Sequence, residues 1–226
     1  MLSYVANGGR VVLATSPQNA QMPNLMRVAA AFGVGAMSGQ LLEGNANYFR
    51  NSAENLVPLI DSNHEITQGL TDASYAPIMP NAHGILPLES FSEGMTASLL
   101  LATSGSAYVR EQDGSERDVG QTAVGVALEN TVSGARLVWY SSAEAFDSQA
   151  TSTYGANANY YLAMAASWAQ PDYESPLSSI EPTSLDEPTL KLPTTMALPF
   201  GAITVLVLPL ALIVTGVSIR VRRARR

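Results

Sequence analysis

The 226-residue chain has a formal charge of −7, and the five arginines at its end mask a charge of −12 over residues 1–219, so its surface repels nucleic acid. It has no cysteine, which excludes a disulfide framework, a zinc-thiolate site and a cysteine nucleophile. Stability must come from a packed core, and the roughly 170 residues ahead of a proline-rich segment are enough for one domain.

In chain order, Asn7-Gly8-Gly9 is a turn signal and Arg10 to Thr15 reads as a buried strand. Met22 to Phe32 has helical spacing, with apolar residues at Leu25, Met26, Ala29, Ala30 and Phe32 and with Gly33 as the stop. Candidate strands follow at Asn55 to Ile60, Gly84 to Leu88, Ala97 to Ala102, Thr122 to Leu128 and Ala135 to Tyr140. Val109 to Asp118, with Gln112-Asp113-Gly114-Ser115, reads as a hairpin tip or exposed loop. The last helix of the domain, about Asn157 to Ala169, places Tyr161, Met164, Ala165 and Trp168 on one face, which is a core stripe. Short β-branched runs alternating with helical spacing are the rhythm of an α/β domain over residues 1–170.

Residues 171–195 carry five prolines and five carboxylates, so they read as an extended acidic spacer. From Leu192 to Ile219 there is no charged side chain, and Met196 to Ile219 is long enough to cross a bilayer core of about 30 Å as a helix. Five arginines follow that span, and only Lys191 closely precedes it. Basic residues resist translocation, so residues 220–226 are expected in the cytoplasm and the domain outside the cell membrane. No signal segment precedes Gly8-Gly9, so the reading expects a chain without its natural beginning. Within the span, Pro209 frees a backbone carbonyl, and Gly201, Ala211, Thr215 and Gly216 offer small surfaces for a partner helix.

Catalytic signals are sparse. His64 and His83 each sit near loop signals without metal-ligand spacing, and no metal or cofactor site is expected. Ser104 and Ser106 follow a strand, but the nucleophile-elbow pattern G-x-S-x-G is absent. No phosphate-binding loop pattern occurs either. Ser104, Glu144 and Asp147 lie at strand-end loops, where α/β domains bind ligands, and form the candidate ligand or partner loop.

Several segments, taken in order, resemble the GldG family, the gliding-motility-associated auxiliary subunits of ABC transporters. Tyr4 to Leu13 is similar to its "y-v-x-x-G-G-r-l-l-l", Phe32-Gly33-Val34 to its "f-G-i", and His64 to Leu70 to its "h-p-I-t-x-g-l". Leu99 to Ser104, Val124 to Glu129, Ala135 to Tyr140, Asn157 to Leu162 and Trp168 continue the series, and Pro209 and Gly216 with the terminal arginines resemble its anchor. Glu65 stands where the family has proline, and Tyr140 to Glu144 replaces its "G-d-s-d" turn.

The resemblance implies a Rossmann-like, amidotransferase-like domain missing its N-terminal units, plus one C-terminal transmembrane helix. It further implies a non-enzymatic auxiliary subunit that engages a small-molecule or polymer substrate beside an ABC permease and ATPase. An anchored surface adhesin or sensor, and an anchored hydrolase, are the competing classes.

Overall fold

The computed structural model describes residues 1–18, 22–68, 77–88, 93–147, 158–169 and 208–225. The chain divides into two compact units, Met1–Tyr173 and Glu174–Arg226. The first opens with α1 (Leu2–Ala6), which passes through Asn7-Gly8-Gly9 into β1 (Arg10–Ala14), where the sequence places a strand. Next comes α2 (Pro23–Ala31), with proline at its first turn, where no amide donor is lost, and Gly33 at φ +79° just past its end.

Short strands follow: β2 (Val34–Ala36), β3 (Gln40–Glu43), β4 (Phe49–Arg50), β5 (Ser52–Leu56), β6 (Leu59–Ile60), β7 (Met79–Pro80) and β8 (Ile85–Pro87). The remaining elements of the unit are β9 (Met95–Ala102), β10 (Ala107–Arg110), β11 (Glu116–Asp118), β12 (Ala123–Asn130), β13 (Arg136–Tyr140) and α3 (Ala158–Ala169). The expected strand over Asn55 to Ile60 is split at Val57-Pro58, because proline brings no amide to a ladder.

The main sheet has the order β1-β13-β12-β8-β2, and β9 also pairs with β12 and with β6. Two three-stranded sheets, β11-β10-β3 and β4-β5-β7, accompany it. One apolar cluster unites Val5 of α1, Val28, Ala29 and Phe32 of α2, and Val11, Leu13, Leu137 and Trp139 of the sheet. A second unites Val138 and Tyr140 with Leu41, Leu56, Leu100, Val109 and Ala165. Alternate residues of β13 thus enter opposite clusters, as a period of two requires of a strand covered on both faces. The same phase in β12 is reset at Gly125, where the register with β9 shifts and an added Cβ would lie 3.1 Å from Leu101. In α3, Ala165 is buried, and Met164 and Trp168 pack on the second cluster; the side chain of Tyr161 lies outside the described residues.

The expected Rossmann-like, amidotransferase-like domain is not what forms. That fold needs a mostly parallel sheet whose strands are joined by helical crossovers. Here β1 and β13 pair in parallel, but β13-β12, β12-β9, β12-β8, β8-β2 and β9-β6 are all antiparallel. For β12 and β13 the physical reason is the shortness of the connection: Thr131 to Ala135 is a hairpin turn, which can only reverse the chain, as Glu111 to Ser115 does between β10 and β11 of a smaller sheet.

The expected transmembrane helix is not found among the described residues. In the second unit the helix is α4 (Leu208–Ala224), of 17 residues, and Arg220, Arg222 and Arg223 lie within it. Among the described residues no helix is long and apolar enough to cross a membrane. Residues 196–207 of the expected span lie outside the described residues.

The turn into β1 allows no side chain at Gly8. Its φ is +83°, and a Cβ there would fall 2.5 Å from the carbonyl oxygen of Ser133 in the β12–β13 turn. Gly8→Ala is expected to cost about 1–3 kcal/mol, from the left-handed backbone together with the clash. A thermal unfolding midpoint equal to that of the wild type would contradict this geometry.

Candidate functional site

The carboxyl ends of β1 and β13 lie side by side, with Leu13 opposite Trp139 and Ala14 opposite Tyr140, and Thr15 continues the pairing by donating its amide to the Tyr140 carbonyl at 3.0 Å. A buried polar chain sits there. His83 Nδ1 donates to the Gly84 carbonyl at 2.9 Å, so its Nε2 is bare and accepts from the Thr15 hydroxyl at 2.7 Å. The Trp139 indole N–H in turn donates to Thr15 Oγ1 at 2.8 Å. Thr15, His83 and Trp139 are all fully buried, and each polar group is satisfied. A hydroxyl beside an imidazole is the geometry of an activated nucleophile. This one is closed to substrate by its burial and reads as a core lock.

Burial holds His83 below its ordinary pKa of 6.5, and the Gly84 carbonyl only partly opposes that. The folded state therefore prefers neutral imidazole. The stability this confers is complete above pH 6.5 and is lost as pH falls from there through the lower folded-state value. Partly buried His64, whose Nδ1 accepts from the Ile66 amide and whose ring meets Trp168 edge-on, is shifted in the same direction by desolvation, against the raising influence of Glu65, Asp61 and Glu129. The thermal midpoint should fall between about pH 7 and pH 5, and His83→Gln should flatten that slope. A slope unchanged in the variant would assign it elsewhere.

The expected loop residues go to different places. Ser104 is buried: its hydroxyl donates to Glu43 Oε1 at 2.7 Å and its amide to Glu43 Oε2 at 3.0 Å. Buried Glu43 also accepts from the Asn45 amide at 3.0 Å, so this carboxylate ties the C-terminal end of β3 to the β9–β10 turn. Glu144, exposed in a one-turn 3-10 helix after β13, accepts from Asn81 Nδ2 at 2.8 Å, and Asn81 Oδ1 accepts from Gln40 Nε2 at 2.7 Å. Gln40 begins β3 and Glu43 ends it, so Ser104 and Glu144 attach to opposite ends of one strand, about 10 Å apart at the usual rise. They do not form one site. Asp147 is exposed at the end of the same short turn.

In α4, Pro209, Ala211, Thr215 and Gly216 are exposed, and Thr215 Oγ1 donates back to the carbonyls of Ala211 and Leu212. Gly201 lies outside the described residues.

What the sequence did not single out is a polar cleft of about 190 Å³ at the Gln40 end of β3. Its walls are Pro17 and Gln18 from the segment after β1, Gly39 and Gln40, Asn81, and Arg110, Glu111 and Gln112 from the β10–β11 hairpin. The charges on its rim are answered from outside it. Arg110 pairs with Glu116 at 2.9 Å, while Glu111 accepts from Ser38 Oγ at 3.0 Å and lies 3.7 Å from Arg117. Asn81 is held at φ +54°, a conformation uncommon outside glycine and asparagine, with its backbone N–H donating to the Glu54 carbonyl at 3.1 Å. The signal available in the sequence was the carboxamide-rich composition of four separate turns, which no spacing rule connects.

A wider hollow of about 850 Å³ between α1 and α2 is lined mainly by Met1, Leu2, Met22, Pro23, Leu25 and Val28. It is an apolar seam remote in composition from the cleft. Among the described residues no group of three or more His, Cys, Asp and Glu side chains could hold a metal ion.

No protein-family model matches the chain, and no curated protein matches it. Among solved structures it is similar to the mmIFT52 N-terminal domain, with a TM-score of 0.54 and 12% sequence identity over 77% of this chain and 70% of that one. At that identity the likeness concerns the fold alone. It places the domain with a β-rich architecture, against the Rossmann-like expectation.

One buried group is unanswered: Ser141 Oγ, just past β13, has no hydrogen-bond partner among the described residues. Ser141→Ala should therefore leave stability unchanged or raise it by up to about 1 kcal/mol, since no bond is lost and a desolvated hydroxyl is removed. A clear loss in urea unfolding would mean that the hydroxyl is bonded.

Proposed function

We propose that the protein is a non-enzymatic subunit, attached to the cell membrane through its C-terminal segment, that engages a substrate beside an ABC permease and ATPase. The observation that carries a binding role is the contrast between sealed and open polar groups. Two hydroxyls that stand beside a possible base are committed inside the core, Thr15 to His83 and Trp139, and Ser104 to Glu43. The open cleft is built instead of carboxamides and of charges already countered by neighbours. That arrangement suits recognition better than bond cleavage, and it weighs against the hydrolase reading. The transporter partners rest on the ordered resemblance to the GldG family, and attachment with the domain outside rests on the uncharged stretch from Leu192 to Ile219 followed by five arginines.

Two measurements test this reading. In native cells, the tagged full chain should co-purify with an ABC permease and ATPase, and their absence from a mild-detergent eluate would overturn the transporter assignment. The absence of native cysteine permits clean labelling. Ser115 is exposed at the β10–β11 turn, so Cys introduced there should react with an impermeant thiol reagent in sealed cells, and Cys introduced at Ala224 should not. The reverse pattern would overturn the external placement.

A further inference from the structure

We propose that the cleft beside β3 is a recognition site for an uncharged side-chain carboxamide, that of one asparagine or glutamine residue in a polypeptide. The proposal deepens the substrate-engaging reading by naming the chemistry this cleft takes.

Charge comes first. Arg110 gives Nε and a terminal nitrogen to Glu116 Oε1, and Glu111 is occupied by Ser38 and faced by Arg117. A charged ligand would lose its hydration against rim charges that, among the described residues, are already countered, whereas a neutral polar one gives up less.

The carboxamides supply direction. The Glu144 carboxylate can only accept, so Asn81 must turn its NH₂ toward it at 2.8 Å. Asn81 Oδ1 then faces Gln40 Nε2 at 2.7 Å, which leaves Gln40 Oε1 as the acceptor of the relay without a partner among the described residues. An acceptor fixed in this way calls for an N–H from the ligand. Gln18 and Gln112, both exposed on the rim, each carry a donor and an acceptor side by side, the complement of an amide.

The backbone holds the relay in place. Asparagine adopts the left-handed φ of +54° at position 81 more readily than most side chains, and its backbone N–H donates to the Glu54 carbonyl, which fixes the point from which the side chain leaves.

Size narrows the class. At about 190 Å³ the cleft lies below the roughly 300–1,000 Å³ of pockets that enclose a drug-sized ligand, so it takes one residue-sized group. Among the described residues no aromatic ring lines it, so a sugar ring finds no face there to stack on.

The test uses the full chain in detergent micelles and backbone and side-chain amide NMR, with three probes: N-acetyl-glutamine amide, N-acetyl-glutamate amide and N-acetyl-lysine amide. The neutral probe should give saturable shifts at Gln18, Gln40, Asn81 and Gln112, with the two charged probes several-fold weaker. Asn81→Gly keeps the backbone conformation and removes the relay. Glu144→Gln lies on the surface and leaves the relay free to flip. Each should weaken the neutral probe about three- to ten-fold, the worth of one hydrogen bond, with thermal unfolding as the check on folding. Absence of saturable shifts, equal binding of charged and neutral probes, or unchanged binding in a folded Glu144→Gln would overturn the proposal. These outcomes are read without the permease, so loss of the transporter assignment and loss of the amide site are separate results.

Discussion

The parallel pairing of Arg10–Ala14 with Arg136–Tyr140 joins the first strand of the domain to its last, and most of the remaining structure depends on it. Closing so long a loop costs chain entropy that grows slowly with length, and the return must come from burial. Trp139 and Tyr140 supply it. Both are fully buried, on opposite faces, and truncation of either would be expected to cost about 3–5 kcal/mol. The indole N–H is satisfied by Thr15, which continues β1, so the same residue that packs the core also pins the pairing.

From β13 the order of the layers follows. Its other edge takes β12, and β12 takes β9 along most of its length and β8 at Ala123, which leaves β1, β2 and β6 at the margins. With both faces of β13 apolar, one face collects α1 and α2 and the other collects α3 with the two small sheets. α3 is held by more than its apolar stripe. Arg136 donates to the Trp168 carbonyl at 2.6 Å, stacks over the Trp168 ring and pairs with Glu129 at 2.7 Å. A cation shared among a carbonyl, a ring and a carboxylate fixes the helix to the strand pair with directionality that burial lacks.

β3 occupies the junction between the core and the candidate site. Leu41 and Leu42 are buried, Glu43 anchors the β9–β10 turn, and Gln40 faces the cleft. Four turns from distant parts of the sequence therefore meet at one end of a short strand. The cleft is a consequence of that convergence, and its polarity survives because each charge on its rim is countered nearby.

The linear sequence determined the local elements whose signals are local. Gly8-Gly9 ahead of Val11 to Leu13, Pro23 and Gly33 around an apolar stripe, and Arg136 to Tyr140 as a continuous buried run are each set by backbone conformational limits and side-chain periodicity within a few residues. It also determined the absence of thiol chemistry and the charge asymmetry of the two ends. Strand direction was decided only in three dimensions. An apolar run reads alike whether its neighbour is parallel or antiparallel, so the α/β rhythm suggested crossovers where hairpins form. The short strands β2, β3, β4 and β7 carry too few residues for a period to register, and Ser104 and Glu144, alike as polar residues after strands, were separated by β3. Asn81, Gln40 and Glu144 are 41 and 63 residues apart along the chain, counting from Asn81, and hydrogen-bond to one another only because the fold brings their turns together. Contacts at that separation leave no spacing in the sequence by which to read them.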